Sequence, residues 1–490
     1  MTCSTRRTLW TAVALLALAA AALPAHAAVY IVTKTADTAD GACNSDCSLR
    51  EAILAANANP GPDFILLGPG TYTLTRAGAG EDLGSIGDLD IRDDVFIVGA
   101  SAERTIIDGG QIDRVFDVLA EVRAQIVGVT IRNGKVAGPG GGVRNAGNLE
   151  LSRSIVSGNT ATTAAGFGGG IWSNGSGSDL TVTQSTLAGN SADGGGGGLA
   201  VGNQAEVSNT TVSGNRANGF GGGLYAFANT AAVFDETTVT GNISGQKGGG
   251  IFGEVAPFIA INNPELIDTI LAGNSAASQP DCAGAVQSGG HNLLQVGFDC
   301  NDFNAAHHDM VGTTGSPVFP GLGPLTNNGG TTPTHALLAG SPALGKGSAC
   351  GDTDQRGETR PATGCDIGAF QTGPDCLTGG PTLCLNNDRF RVTAQWRKKD
   401  GTSGSGQGVS LTGDSGYFWF FDPSNVELTG KVLNGCGFNN KYWVFLSGLT
   451  NVEVTVTVTD TQKGVTKTYH SPLGTVFPTT LDTAAFATCP

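Results

Sequence analysis

The sequence predicts an all-β protein built on a right-handed parallel β-helix, and a repeat within residues 140–274 carries this prediction. Glycine triplets begin five units, at Gly140, Gly168, Gly196, Gly221 and Gly248, and Gly-Asn pairs end them, at Asn159, Asn190, Asn215, Asn242 and Asn274. The closing asparagines lie 25 to 32 residues apart, a period typical of a solenoid. A helical solenoid is the alternative, but glycine runs such as residues 194–198 would cost about 1 kcal/mol per glycine in a helix.

The positions before each closing asparagine define a register. Eight positions back stand Leu151, Val182, Val207, Phe234 and Leu266; three back stand Val156, Leu187, Val212, Val239 and Leu271; five back stand Ser154, Ser185, Thr210, Thr237 and Thr269. Because side chains alternate along a strand, the two apolar sets are out of phase, so the chain must bend at the polar pair between them. Glycine and asparagine tolerate the left-handed backbone of tight corners. Asparagines stacked in successive coils are expected to form a side-chain ladder.

Three of the units continue from the triplet into an aliphatic residue and an aromatic one, as in Gly170-Ile171-Trp172. These units are similar to the repeats of polymorphic outer-membrane-protein passengers, and the resemblance implies the same fold.

Residues 1–27 have the features of an export signal. Arg6 and Arg7 precede an apolar stretch over residues 9–23, and small residues follow at 25–27. The apolar stretch is shorter than a bilayer span. We therefore expect a secreted protein, extracellular or on the outer cell surface, with no membrane span after signal removal.

Cysteine usage agrees with export. Of the 11 cysteines, Cys3 lies in the signal, which leaves an even number for an oxidising compartment where disulfides form. Nearest-neighbour pairing is the simplest of many connectivities. It would join Cys43 to Cys47, Cys282 to Cys300, Cys350 to Cys365, Cys376 to Cys384 and Cys436 to Cys489.

Residues 28–62 are predicted to form an N-terminal cap module. Ser48 and Glu51 are spaced as a capping box and begin an amphipathic helix, which we expect to cover the open end of the solenoid. Residues 47–52 read Cys-Ser-Leu-Arg-Glu-Ala. This segment resembles the CSLREA-type N-terminal module of secreted bacterial β-helix proteins, which implies an exported surface protein with no established activity.

Residues 63–375 are predicted to be the β-helix, with about ten coils over residues 64–345 at about 27 residues each. The repeat weakens after Asn274, and His291 is interpreted as a coil corner rather than a catalytic group. Residues 334–370 resemble the choice-of-anchor Q module. We expect a disulfide-stapled end cap there, with Arg356 or Arg360 paired to Asp366.

The chain changes character at a linker over residues 376–384. Residues 385–490 lose the glycine triplets and gain aromatic residues, and 452–460 alternate strictly between apolar and polar side chains. They are predicted to form a small antiparallel β-sandwich.

Charge and motifs exclude several functions. The formal net charge of −15 argues against binding to nucleic acid or to an anionic membrane. Residues 352–357 begin like a calcium loop, but Arg356 and the lack of a later glutamate spoil it. No metal or other cofactor is therefore expected, and Ca²⁺ stays a minor alternative.

Two classes of function stay open. We expect an exported, non-catalytic protein that is structural or binds a glycan or surface protein. Trp396, Trp419 and Trp443 could form a platform for such a ligand, although we favour the interpretation that they belong to a hydrophobic core. The alternative is a polysaccharide lyase or glycoside hydrolase acting on an acidic polysaccharide. Asp235, Glu236 and Asp268 lie at the corners of successive coils and are the candidate catalytic acids, although we favour the interpretation that they form a solvated corner.

Overall fold

The computed structural model describes residues 27–489 except 257–261, 298–299, 301, 339, 349, 373–375, 377–379, 387 and 462. Residues 1–26 of the predicted signal therefore lie outside the described residues. The chain forms a parallel β-solenoid followed by antiparallel sheets at the C-terminus. The predicted fold class is confirmed.

Three parallel sheets make up the solenoid, and each coil runs through them in the order sheet 1, sheet 2, sheet 3. Sheet 1 contains Val29–Val32, Asp63–Leu67, Val95–Gly99, Arg123–Val127, Asn148–Ser152, Asp179–Thr183, Gln204–Ser208, Ala231–Asp235, Glu265–Ile267 and Gln287–Gly290. Sheet 2 contains Gly70–Thr73, Thr105–Asp108, Thr130–Arg132, Ile155–Ser157, Thr186–Ala188, Thr211–Ser213, Thr238–Thr240, Ile270–Ala272, Leu293–Leu294 and Met310–Val311. Sheet 3 contains Leu89–Ile91, Phe116–Val118, Val143–Asn145, Ile171–Ser173, Leu199–Val201, Leu224–Ala226, Ile251–Gly253 and Cys282–Gly284.

A fourth, narrow sheet precedes the glycine triplets. It contains Lys135–Val136, Thr160–Ala161, Ser191–Ala192, Arg216–Ala217 and Ile243–Ser244. The solenoid has about seven turns, fewer than the ten expected. Sheets 1 and 2 extend beyond sheet 3, which has eight strands among the described residues, and the last solenoid strand ends at Val311 rather than near residue 345. The following chain turns back along the flank of the solenoid.

The predicted inner files are confirmed. Residues eight places before the closing asparagines are register partners in sheet 1, and those three places before are partners in sheet 2. All ten side chains are at most 1% exposed. Burying an aliphatic or aromatic side chain of this size contributes about 1.5–3 kcal/mol, so these files are the main source of stability along the axis.

The predicted asparagine ladder is present. The Nδ2 of each closing asparagine donates to the Oδ1 of the next, at 2.9 to 3.0 Å from Asn159 through Asn274, and the series ends on the carboxylate of Asp281. The left-handed residue of each pair is the glycine, as at Gly158 with φ 64°. The asparagine is thus required for its side chain rather than for its backbone.

The predicted bend lies at the polar pair. Its second residue adopts a left-handed backbone in all five coils, at Arg153, Gln184, Asn209, Glu236 and Asp268. The glycine triplets are required for close packing between coils, because a Cβ at Gly170 would lie 2.5 Å from the carbonyl oxygen of Gly198 in the next coil. His291 also has a positive φ, of 57°, and forms the equivalent corner, as predicted.

The N-terminal module covers one end of the solenoid. Val29–Val32 pairs in parallel with Asp63–Leu67, and helix α1 (Leu49–Ala58) begins at the predicted Ser48–Glu51 capping box. The buried face of α1, including Leu49 and Ile53, belongs to the same core as the solenoid.

Residues 327–372, here called the flank segment, do not form an end cap. They lie on the outer face of sheet 2, where Gln355 bonds to Thr186 and Thr211 and the backbone of Ser348 bonds to Asp268. A second apolar core lies between sheet 2 and this segment and includes Ile270 and Phe370. Sheet 2 is therefore buried on both faces where this segment covers it, as at Thr186, Thr211 and Ile270. The flank segment contains the hairpin strand Thr334–Leu337, which pairs with Leu322–Thr326, and a 3₁₀ turn at Ala305–His307 precedes it.

The expected ion pair of Arg356 or Arg360 with the Asp366 carboxylate is wrong, although Arg360 donates to the backbone carbonyl of Asp366 at 2.9 Å. Arg356 pairs with Asp354, and Arg360 lies against Glu236. The Asp366 carboxylate instead accepts the backbone N–H groups of residues 345 and 372, so it shapes the local loop.

The C-terminal residues form the predicted antiparallel sandwich. One sheet contains Thr382–Leu385, Phe390–Arg397, Ser403–Ser405, Glu453–Asp460 and Val465–Ser471. The other contains Gln407–Thr412, Ser415–Trp419, Leu428–Asn434, Tyr442–Gly448 and Thr480–Phe486, and a short helix α2 (Cys436–Asn439) precedes its fourth strand.

Five disulfides staple the chain, and all five join the nearest neighbours in sequence. Among the described residues, none of the helices has the length and apolar character that a membrane crossing requires.

Candidate functional site

The corner acids proposed as catalytic candidates lie under the flank segment. Glu236 and Asp268 are at most 1% exposed. Glu236 accepts the backbone N–H of Gly351 at 2.8 Å, and its Oε1 lies 3.3 Å from the Nε of Arg360. Asp268 accepts the backbone N–H of Ser348 at 3.1 Å. The corner is therefore not solvated, and its acids hold the flank segment on the solenoid.

Electrostatics at this corner follow from burial. Desolvation, then the charges of Glu236 and Asp268, raises the pKa of Asp235 to about 7. Desolvation also raises the pKa of Glu236, although Arg360 opposes the shift. A raised carboxyl pKa suits a general acid, but buried acids covered by bonded backbone offer a polymer no access.

The residues that begin like a calcium loop, 352–357, form hydrogen bonds within the flank segment. The two carboxylate oxygens of Asp354 accept hydrogen bonds from Arg356, from the backbone of Glu358 and from the backbone of Gln371. This carboxylate is therefore already occupied by protein donors.

The three candidate tryptophans do not share one surface. Trp396 is on the inner side of its sheet at the rim of the sandwich, where it packs against the core and Phe421. Trp419 and Trp443 point outward from the other sheet. They lie at opposite ends of strand Leu428–Asn434, since Phe418 pairs with Leu428 and Trp443 with Leu433. The three side chains therefore do not form one contact surface.

A cluster of aromatic rings lies instead on the outside of the solenoid. We call it the aromatic patch; it consists of Phe167, Phe220, Tyr225, Phe227 and Phe252. Neighbouring rings have centroids 4.5 to 5.5 Å apart, and four of the five side chains are partly exposed. The Tyr225 hydroxyl donates to Glu254 at 3.2 Å. Apolar surface gathered outside the core of a soluble protein is typical of a binding site.

The coil geometry assembles this patch. Trp172, Ala200, Tyr225 and Phe252 are successive register partners in sheet 3 and share its outer face. Phe167 and Phe220 stand just before their glycine triplets. Residues far apart in sequence thus come within ring contact because each coil repeats the same path.

A polar groove adjoins the aromatic patch at the turn from sheet 3 to sheet 1. We call it the amide groove; its volume is about 400 Å³, and its polar lining is Asn148, Ser178, Asp179, Asn203, Gln204, Asn229 and Asn262. Asn148, Asp179 and Gln204 begin successive strands of sheet 1 and stack along the axis. Phe227 lies two residues before Asn229, so a single turn links one ring of the patch to one residue that lines the groove.

Sequence reasoning missed this face. The aromatic residues after the triplets are a visible signal, but the sequence alone does not show that their rings meet on one outer surface. Asn148 and Gln204 share one repeat position, at the start of a sheet 1 strand, but Asn203, Asn229 and Asn262 lie in turns between strands, where the sequence shows no repeat.

Comparisons with family models, with curated proteins and with solved structures found no match.

Proposed function

We propose that this chain is an exported, non-catalytic binding protein whose solenoid holds a neutral glycan along the amide groove and the aromatic patch. The observation that supports the proposal is a groove lined by amide side chains, one turn of chain away from a cluster of aromatic rings. Five disulfides fit a protein that works outside the cell.

Sugar chemistry matches both surfaces. A pyranose ring has faces rich in C–H groups, which pack against aromatic rings such as Phe227. Its hydroxyls donate and accept hydrogen bonds at once, and amide side chains such as Gln204 and Asn229 do the same. Asn148, Gln204, Asn229 and Asn262 are all exposed in the groove. Because the stacked strands repeat along the axis, the groove follows the direction that an extended polymer would take.

Charge favours a neutral ligand over an acidic one. The chain carries a formal net charge of −15, and the charged residue in the lining of the groove is Asp179. A uronic-acid polymer would be repelled. The lyase or hydrolase alternative is weaker for a second reason: its candidate acids Glu236 and Asp268 are buried under the flank segment.

The test begins with residues 28–490 on a glycan array that contains neutral and uronate-bearing polymers, followed by calorimetric titration of the bound glycans. Gln204→Ala removes one exposed amide from the groove. We expect its Kd to rise about tenfold, equivalent to about 1.4 kcal/mol. Phe227→Ala is expected to weaken binding by at least as much, because aromatic side chains dominate binding energy.

Gln395→Ala is the matched control, since Gln395 is an exposed strand glutamine of the C-terminal sandwich. Its affinity should equal that of the unaltered chain. If Gln204→Ala and Phe227→Ala bind the glycan as tightly as the unaltered chain does, the glycan does not bind at the amide groove and the aromatic patch. Release of reducing ends or unsaturated sugars from a uronate polymer would replace the proposal with the enzymatic alternative.

A further inference from the structure

Four aspartates are buried near the N-terminal end of the solenoid: Asp88, Asp90, Asp113 and Asp117. Each is at most 1% exposed. Asp90 and Asp117 are register partners on the outer face of sheet 3, and residues 78–87, which include exposed Asp82, form a loop beside them. This grouping is a concentration of negative charge where solvent is excluded.

Two arginines satisfy part of this charge. Arg114 donates to one oxygen of Asp88 at 2.8 Å and lies 3.2 Å from Oδ2 of Asp117, and Arg144 donates to the same Oδ2 at 2.6 Å. These bonds use one oxygen of each carboxylate. They leave the second oxygen of Asp117 without a donor among the described residues.

Asp90 has no such partner. Neither of its carboxylate oxygens has a hydrogen-bond partner of normal geometry among the described residues. The backbone N–H of Gly84 lies close enough to lower the pKa of this carboxyl, but burial outweighs it. Burial, then the charges of Asp88 and Asp117, raises the pKa of Asp90 to about 8. A buried carboxylate is retained in proteins when it is paired or binds a metal, and the arginines are engaged elsewhere.

The spacing of the acids suits one ion. Carboxylate oxygens of Asp82, Asp90 and Asp117 all lie within 4.8 Å of one another. Two ligands on one Ca²⁺, each at about 2.4 Å, lie at most about 4.8 Å apart, whereas Mg²⁺ holds its ligands at about 2.0–2.1 Å in strict octahedral geometry. The donors are all oxygens, which favours a hard cation over zinc or copper. Exposed Asp82 provides the path from solvent.

Arg50 of helix α1 holds the loop that places Asp82. Its guanidinium donates to the backbone carbonyls of Gly84, Gly87 and Asp88 at 2.8 to 3.0 Å, and its Nε lies 2.6 Å from Asp37. This arginine is 1% exposed. It would touch no ion and therefore acts as a positioning residue.

We propose that Asp82, Asp90 and Asp117 form a Ca²⁺ site that joins the N-terminal module to the first coils, with Arg50 fixing its loop. Waters complete the coordination on the side of Asp82. The site shares no residue with the amide groove, so Ca²⁺ binding and glycan binding can be tested independently.

The test measures Ca²⁺ binding to chelator-treated residues 28–490 by calorimetric titration, with MgCl₂ as the comparison. We expect one site with Kd on the order of 10⁻⁴ to 10⁻³ M, as in extracellular modules, and clearly weaker Mg²⁺ binding. Asp90→Asn keeps the side-chain size and removes the charge, so the saturable isotherm should disappear. Asp193→Asn, at an exposed acid in a later coil, should bind like the unaltered chain.

Near-UV circular dichroism establishes that each variant is folded. Should Asp90→Asn not fold, Asp82→Asn replaces it, because Asp82 is exposed; its Ca²⁺ affinity should fall at least about tenfold, and its thermal midpoint should no longer rise with Ca²⁺. The proposal is overturned if the unaltered chain binds no Ca²⁺ at about 10 mM, ten times the weakest expected Kd, or if the Asp82 or Asp90 variant binds as tightly as it does.

Discussion

Replacement of Asn215 by alanine should remove the centre of the asparagine ladder. Its Nδ2 donates to the Leu187 carbonyl and to Asn242, and its Oδ1 accepts from the backbone and the side chain of Asn190, all at 2.9 Å. The residue is 0% exposed. Four lost hydrogen bonds at about 1 kcal/mol each predict a loss of about 4 kcal/mol, and stranded buried partners can only add to it.

Urea unfolding of residues 28–490, followed by tryptophan fluorescence, measures this loss through the midpoint at constant m-value. Trp172 reports from the same stack of coils. Asn218→Ala is the control, because Asn218 is exposed and donates only to the exposed carboxylate of Asp193; its effect should stay below about 0.5 kcal/mol. A loss in Asn215→Ala no larger than that of the control would refute the ladder as a source of stability.

Three further predictions concern charged groups. Glu236→Gln leaves the buried Arg360 without its carboxylate, so the flank segment should loosen by about 3–5 kcal/mol, seen as faster amide exchange over residues 345–371 but not in sheet 1. Arg50→Lys keeps the charge but loses the fork that binds three carbonyls, and calorimetry should show Ca²⁺ affinity reduced about tenfold. Because the pKa of Asp90 is raised to about 8, the folded chain holds a proton that the unfolded chain releases near pH 3.9. Stability without Ca²⁺ should therefore fall between pH 4 and 8, with a shallower slope in Asp90→Asn and when Ca²⁺ is bound. Thermal midpoints across this pH range test the sign; a rise toward pH 8 would contradict it.

The inward-facing residues of the solenoid could be predicted from the sequence because they recur at a fixed position in each repeat. Two apolar positions and one asparagine recur in each coil, and only one winding stacks all three. The outer face of sheet 2 was not predictable in the same way. Thr186 and Thr211 are as typical of an exposed strand as of a buried one, and their partner Gln355 lies more than a hundred residues away.

The same reason explains the misplaced site residues. Asp235 and Glu236 have the composition of a solvated corner, and it is the flank segment, through Arg360 and the backbone of Gly351, that buries Glu236. The buried acids of the N-terminal end carried a weak sequence signal, since Asp90 and Asp117 are one coil apart. Their environment depends on Arg50 and its loop, which no local motif reports.

Hydrogen–deuterium exchange on residues 28–490, with and without the best neutral glycan from the array, tests the central claim most directly. The account predicts that the glycan slows exchange in the strands and turns that border the amide groove, residues 145–179 and 201–231. It predicts no change in exchange in the sandwich of residues 382–486. Protection confined to the sandwich, or to the flank segment, would contradict a glycan held along the solenoid.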